Sequence, residues 1–133
     1  MKRIFNTAIV IIICIPGVVV FAQKKRIERD PCKDPISQFE NNLCSRRQYE
    51  TADAEMNTAY KQLMQELTGY KSNHRPKFRE AQSLWLKYRD ANCDSEASIY
   101  EGGTIRPTVY YSCLASVTRE RTRSIKAFLA EIK

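Results

Sequence analysis

One histidine and one tryptophan occur among the 133 residues of this chain, and glycine is confined to four positions. Each scarcity removes a class of chemistry. With glycine only at Gly17, Gly69, Gly102 and Gly103 there is no glycine-rich loop to cradle a phosphate, and neither a GxSxG nor an HExxH pattern is present. The lone His74 stands in a polar loop ahead of Pro76, the place of a surface residue rather than a general base. No two cysteines have C-x-x-C spacing and His74 is remote from all of them, so no zinc set is expected, nor any other metal or cofactor. Carboxylate pairs such as Glu96 and Glu101 exist. Glycoside chemistry needs their separation fixed within a narrow range, however, and a loop intervenes. The expectation is a protein that is not an enzyme.

Regular β alternation, internal repeats and low-complexity tracts are also lacking, and there is one long apolar run. It extends from Ile4 to Val20, follows the basic start Met1-Lys2-Arg3, and ends at Val20-Phe21-Ala22, where a small residue before Gln23 suits a signal peptidase. A signal peptide over residues 1–22 is predicted, with Cys14 inside it. The run is short and broken by Pro16-Gly17, which argues against a retained anchor, so no stable membrane span is expected after cleavage. The product is expected to be periplasmic or secreted, with a frayed charged segment over 23–31 and one domain over 32–133.

Twenty-two basic and 15 acidic side chains give a net charge of +7, and loss of Lys2 and Arg3, with no acid lost, lowers it to +5. The cations are interleaved with acids along helical faces, so nucleic acid is not the expected partner. The charge favours anionic partners such as lipid headgroups or acidic envelope polymers, with Lys87, Arg119, Arg123 and Lys126 the residues expected to touch such a polymer. Four cysteines remain beyond the signal: Cys32, Cys44, Cys93 and Cys113. An even number in an oxidising compartment predicts two disulfides, with three pairings possible. The local pairing, Cys32 with Cys44 and Cys93 with Cys113, closes two short loops, each worth about 3 kcal/mol in the chain-entropy model.

Helical periodicity fills the rest. A short helix is predicted between Pro35 and Leu43, with Ile36, Phe39 and Leu43 facing one way. A long one follows from about Arg46 to Thr68, with Tyr49, Ala52, Met56, Tyr60, Leu63 and Leu67 in its stripe and Gly69 as a left-handed stop. Pro76 opens a helix running to about Tyr100, whose apolar side carries Phe78, Ala81, Trp85, Tyr88 and Asn92. After the breaker Glu101-Gly102-Gly103-Thr104, Pro107 opens the last, with Tyr110, Leu114, Val117, Ile125, Phe128 and Ile132 inward. The fold class is therefore all-α: a small disulfide-stapled helical bundle of three long helices plus one short N-terminal helix.

Some polar residues fall on apolar sides. Arg89 and Glu96 lie in the apolar sector of the third predicted helix with Gln82 at its flank, Arg121 sits between Val117 and Ile125, and Asp53 borders the second helix's stripe. Buried unpaired charges cost several kcal/mol, so Arg89 is expected to pair with Asp53 or Glu96. The set Asp53, Arg89, Glu96 and Arg121 reads as an internal ion-pair cluster; the alternative is that Gln82, Arg89 and Arg121 line a groove for an anionic or sugar ligand.

Several runs carry a family resemblance. Cys32 and Cys44 are followed by Ala52-Asp53-Ala54-Glu55-Met56-Asn57-Thr58-Ala59-Tyr60, then Arg79-Glu80-Ala81-Gln82-Ser83-Leu84-Trp85, Tyr88-Arg89-Asp90-Ala91-Asn92-Cys93, Tyr100-Glu101-Gly102-Gly103-Thr104, and Cys113-Leu114 with Arg119 to Arg123. In this order, over roughly residues 30–129, they resemble the LprI-type lysozyme-inhibitor domain. The resemblance implies an exported, disulfide-stapled helical module, some of whose members restrain lysozyme, and it supports the local cysteine pairing. Lysozyme or another cell-wall hydrolase is then the expected partner. A loop entering a glycosidase cleft meets two carboxylates, which makes Arg106 a better plug than Glu101, with Gly102 and Gly103 allowing close backbone approach. Two other roles fit the same features: a structural or envelope-stress protein binding anionic polymer, and an immunity protein against a wall-degrading toxin.

Overall fold

Ser37 sets where the first helix begins. Its hydroxyl accepts from the backbone N–H of Glu40 at 3.2 Å, and the Glu40 carboxylate reaches back to the N–H of Ile36 at 2.7 Å. This S-x-x-E arrangement satisfies donors that a helix start leaves open. From it α1 runs without interruption over Gln38–Glu66, followed by a single 3₁₀ turn at Leu67–Gly69; α2 spans His74–Ser98 and α3 Arg106–Glu131. The structure, a computed structural model, describes residues 29–70 and 74–133. The predicted signal peptide and most of the segment 23–31 lie outside the described residues.

The domain is all-α, with three helices and, among the described residues, no strand. The predicted short helix is not separate. Its residues from Gln38 onward are the first turns of α1, because nothing between Leu43 and Arg46 breaks the helix. Ile36 and Phe39 consequently stay exposed, at 77% and 76%, instead of forming a buried stripe. Gly69 does not act as a left-handed cap either. Among the described residues the one positive φ belongs to Gly102, at 75°.

Direction follows from the contacts. Asn42 on α1 donates to the carbonyl of Thr104 just before α3, while Lys133 comes within 4.0 Å of Glu66 at the other end, so α1 and α3 run parallel. Phe78 packs on Phe128 and Cys93 is bonded to Cys113, so α2 is antiparallel to both. Small side chains at Ala52, Ala59, Ala115 and Thr118 let α1 and α3 approach closely. Met56, Leu63, Leu67, Ile125 and Leu129 form the main core, with Trp85 and Phe78 half-buried against it. A second cluster of Cys93, Cys113 and Leu114 is flanked by Tyr49, Tyr110, Tyr111 and Val117. Between the two lies a layer of polar side chains.

Two disulfides join Cys32 to Cys44 and Cys93 to Cys113, with sequence separations of 12 and 20. The first ties the turn ahead of α1 to its second turn. The other clamps α2 to α3 beside their connecting loop.

Candidate functional site

The polar layer is built on a line of α2 that holds Arg89, within the apolar sector of the helical periodicity, and Gln82 at its flank. Gln82, Arg89, Cys93 and Ala97 are the buried residues of this helix, while Ala81 and Tyr88, expected inward, are exposed. Arg89 is 6% exposed. Its Nη1 donates to Asp53 Oδ1 at 3.2 Å and its Nη2 meets Asp90 Oδ1 at 2.8 Å, so two carboxylates balance the buried charge. The guanidinium lies 5.4 Å from the Tyr49 ring centroid and 5.3 Å from that of Trp85, close enough for cation–π attraction. Burial works against its charge, but the hydrogen bond it donates to Asp90, the nearby Tyr49 and the bond to Asp53 outweigh it and raise its pKa. Burial also raises the Tyr49 phenol, with Asp53 and Asp90 adding to the effect and Arg89 opposing it.

Arg121 is handled differently. Its Nε donates to Gln82 Oε1 at 3.0 Å, and its guanidinium lies 5.7 Å from the Trp85 ring centroid. Gln82 Nε2 in turn points at the Met56 sulfur, 2.9 Å away, a weak acceptor. Among the described residues no carboxylate pairs with Arg121, and burial lowers its pKa. Beside it a shallow groove of about 290 Å³ opens between α2 and α3, lined by Trp85, Tyr88, Val117, Glu120, Arg121 and Ser124.

Of the four residues expected to form one internal ion cluster, Asp53 and Arg89 come together. Glu96 does not join them: it is exposed and accepts from Asn92 at 2.9 Å, one helical turn away on the solvent side. Arg121 is reached through Trp85 and Gln82. The predicted groove of Gln82, Arg89 and Arg121 also divides, because Gln82 and Arg89 are covered and only Arg121 borders open space. Asp90, which the predicted cluster does not include, pairs with its neighbour Arg89. The adjacent acid is the sequence signal that could have found it.

The loop from Ile99 to Ile105 makes the second candidate site. Gly102 takes the left-handed conformation, and Gly103 N–H bonds the Tyr100 carbonyl at 2.9 Å. Arg106 does not project as a plug. It donates to Glu101 at 2.8 Å and to Asp94 at 2.6 Å, so its charge is spent holding the loop to α2, and the Glu101 hydrogen bond first, then that carboxylate's charge, raises its pKa. What projects is apolar: Ile99 is 81% exposed, and Tyr100 and Ile105 are each 42% exposed. Among the described residues no group of His, Cys, Asp and Glu could hold a metal ion.

A relative in Rhizobium meliloti (strain 1021), an uncharacterised protein, is 28% identical over 108 residues, covering 74% of this chain and 78% of its own. No solved structure matches significantly. The model of a family described as lysozyme inhibitor LprI matches residues 32–125, from the first disulfide cysteine through both candidate sites to Ile125 in the main core. Disulfides and family together point outside the cytoplasm, and no described helix is long and apolar enough to cross a membrane. The chain belongs to the LprI lysozyme inhibitor family.

Proposed function

We propose that this chain is an exported inhibitor of lysozyme or a related cell-wall glycosidase, acting in the periplasm or as a secreted protein, and that it meets its target through the Ile99–Ile105 loop. The observation that carries this reading is the family match over residues 32–125, which spans both disulfides. The loop's construction supports it. A disulfide, two ion pairs to Arg106 and a tie from Asn42 to Thr104 fix its shape before any encounter, so little entropy is lost on binding. Exposed Ile99, Tyr100 and Ile105 supply the apolar contact that anchors interfaces. A net charge of +5 beyond the predicted signal gives no long-range steering towards a basic glycosidase, so affinity rests on local fit.

The test is lysis of a bacterial suspension by lysozyme in the presence of the oxidised protein. Slowing that saturates near stoichiometric amounts supports the reading. No slowing at micromolar excess, with several lysozyme types tried, removes it.

A further inference from the structure

We propose that the groove between α2 and α3 binds a carboxylate-bearing saccharide, with Arg121 holding the carboxylate and the sugar lying against Trp85 and Tyr88. Arg121 carries the inference. Its Nε is engaged by Gln82, and the terminal nitrogens have no hydrogen-bond partner among the described residues. Among those residues the buried side-chain polar atom left without a partner is Thr118 Oγ1, so the free nitrogens of half-buried Arg121 open to solvent. A half-buried guanidinium with one neutral acceptor and an indole has charge left uncompensated. An anion in the groove completes it with two parallel, charge-assisted bonds.

Arg89, four residues from Trp85, shows the contrast. Two carboxylates satisfy it inside the fold, and it is closed to ligand. The ligand class follows from the remaining walls. Tyr88 is 59% exposed although it is aromatic, and it lines the groove beside Trp85, so its ring is open to the C–H face of a sugar. Ser124 supplies a hydroxyl. Glu120 is the one acid of the lining; it is exposed and lies 3.8 Å from Arg123. From Val117 to Lys126 four cations face that single acid in the sequence, so the local field favours an anion. The groove's size is at the lower end of small-ligand sites, suited to a small saccharide. This assignment stands on the groove's own chemistry and is separate from the loop.

Trp85, the single tryptophan, reports on the site directly. Titration of the oxidised protein with an N-acetylglucosamine–N-acetylmuramic acid disaccharide is expected to change its fluorescence saturably. The same titration with di-N-acetylchitobiose, which lacks the carboxylate, should show at least roughly tenfold weaker binding, the worth of one charge-assisted pair. Arg121→Gln should bring the first sugar down to the level of the second, and Tyr88→Ala, at an exposed position, should weaken both. Calorimetry repeats the comparison independently of the fluorophore. Equal binding of the two sugars, absence of saturation with the acidic one, or displacement by inorganic phosphate at equal concentration overturns the proposal. So does an Arg121→Gln protein that melts as the parent does and keeps the preference.

Discussion

The Arg89 guanidinium carbon sits 5.3 Å from the centroid of the Trp85 ring, one turn away on the same helix, and 5.4 Å from Tyr49 on α1. A charge so placed is both a filler and a bolt: its carbon and nitrogen plane packs between two rings while its edge reaches Asp53 and Asp90. Loss of the side chain therefore removes packing as well as pairing.

Arg89→Ala should lower stability by roughly 2–3 kcal/mol, less than for a fully sealed pair because Asp53 and Asp90 retain access to water. Arg89→Lys should recover only a part, since an ammonium neither stacks nor forks between two carboxylates. Asp53→Asn should cost least, as Asp90 still answers the charge. Urea midpoints give the order; Arg89→Lys equal to the parent would contradict the stacked geometry.

The helices and disulfides were legible because apolar periodicity and cysteine parity are local properties. The bundle's inner line on α2 was legible in part. Periodicity put Arg89 in the apolar sector, and its pairing with Asp53 followed. It also put Ala81 and Tyr88 inside, whereas the fold buries Gln82, whose long side chain finds partners on other elements. The same limit applies to Arg106: its sequence shows a cation beside a glycine loop, and only the folded chain shows Asp94 and Glu101 around it. The start of α1 was written in Ser37 and Glu40, a capping pair after Pro35, and its continuity in the lack of a breaker between Leu43 and Arg46.

Removing Cys93–Cys113 by paired alanine substitution should cost about 3 kcal/mol, from its 20-residue separation and the fully buried Cys93. Removing Cys32–Cys44 should cost less. That bridge secures a turn at the edge of the described fold, and the chain ahead of α1 can detach without opening the core. Denaturant unfolding of the two variants settles the order.

Stability should decline as pH rises above about 10. Tyr49 and Tyr110 have folded-state pKa values raised above the ordinary 10.0, in both cases mainly by burial. Above pH 10 the unfolded chain releases these protons while the native state keeps them, so unfolding is favoured as pH climbs through that window. Below pH 10 both states hold the protons and the contribution is constant. Tyr49→Phe should flatten part of the decline. Phenolate absorbance of the native protein should show tyrosines ionising later than the remainder; a single transition at the ordinary value contradicts the burial of Tyr49 and Tyr110.

Gly102 tests the loop's backbone apart from its contacts. A Cβ there meets nothing within 4 Å, so Gly102→Ala pays only for the left-handed φ of 75°, about 1 kcal/mol. The proposed binding role separates from folding in a different pair of substitutions. Tyr100→Ala with Ile105→Ala removes exposed apolar surface and should leave the melting transition within about 0.5 kcal/mol of the parent, yet weaken inhibition at least roughly tenfold if these residues anchor the target. Arg106→Ala should act through order instead: it releases Glu101 and Asp94, so amide exchange at Glu101 to Thr104 should speed up and the inhibition constant rise with it. Should the Tyr100 and Ile105 double variant inhibit as the parent does while Arg106→Ala fails, the side chains of the loop are not the contact, and the fixed backbone around Gly102 and Gly103 must be.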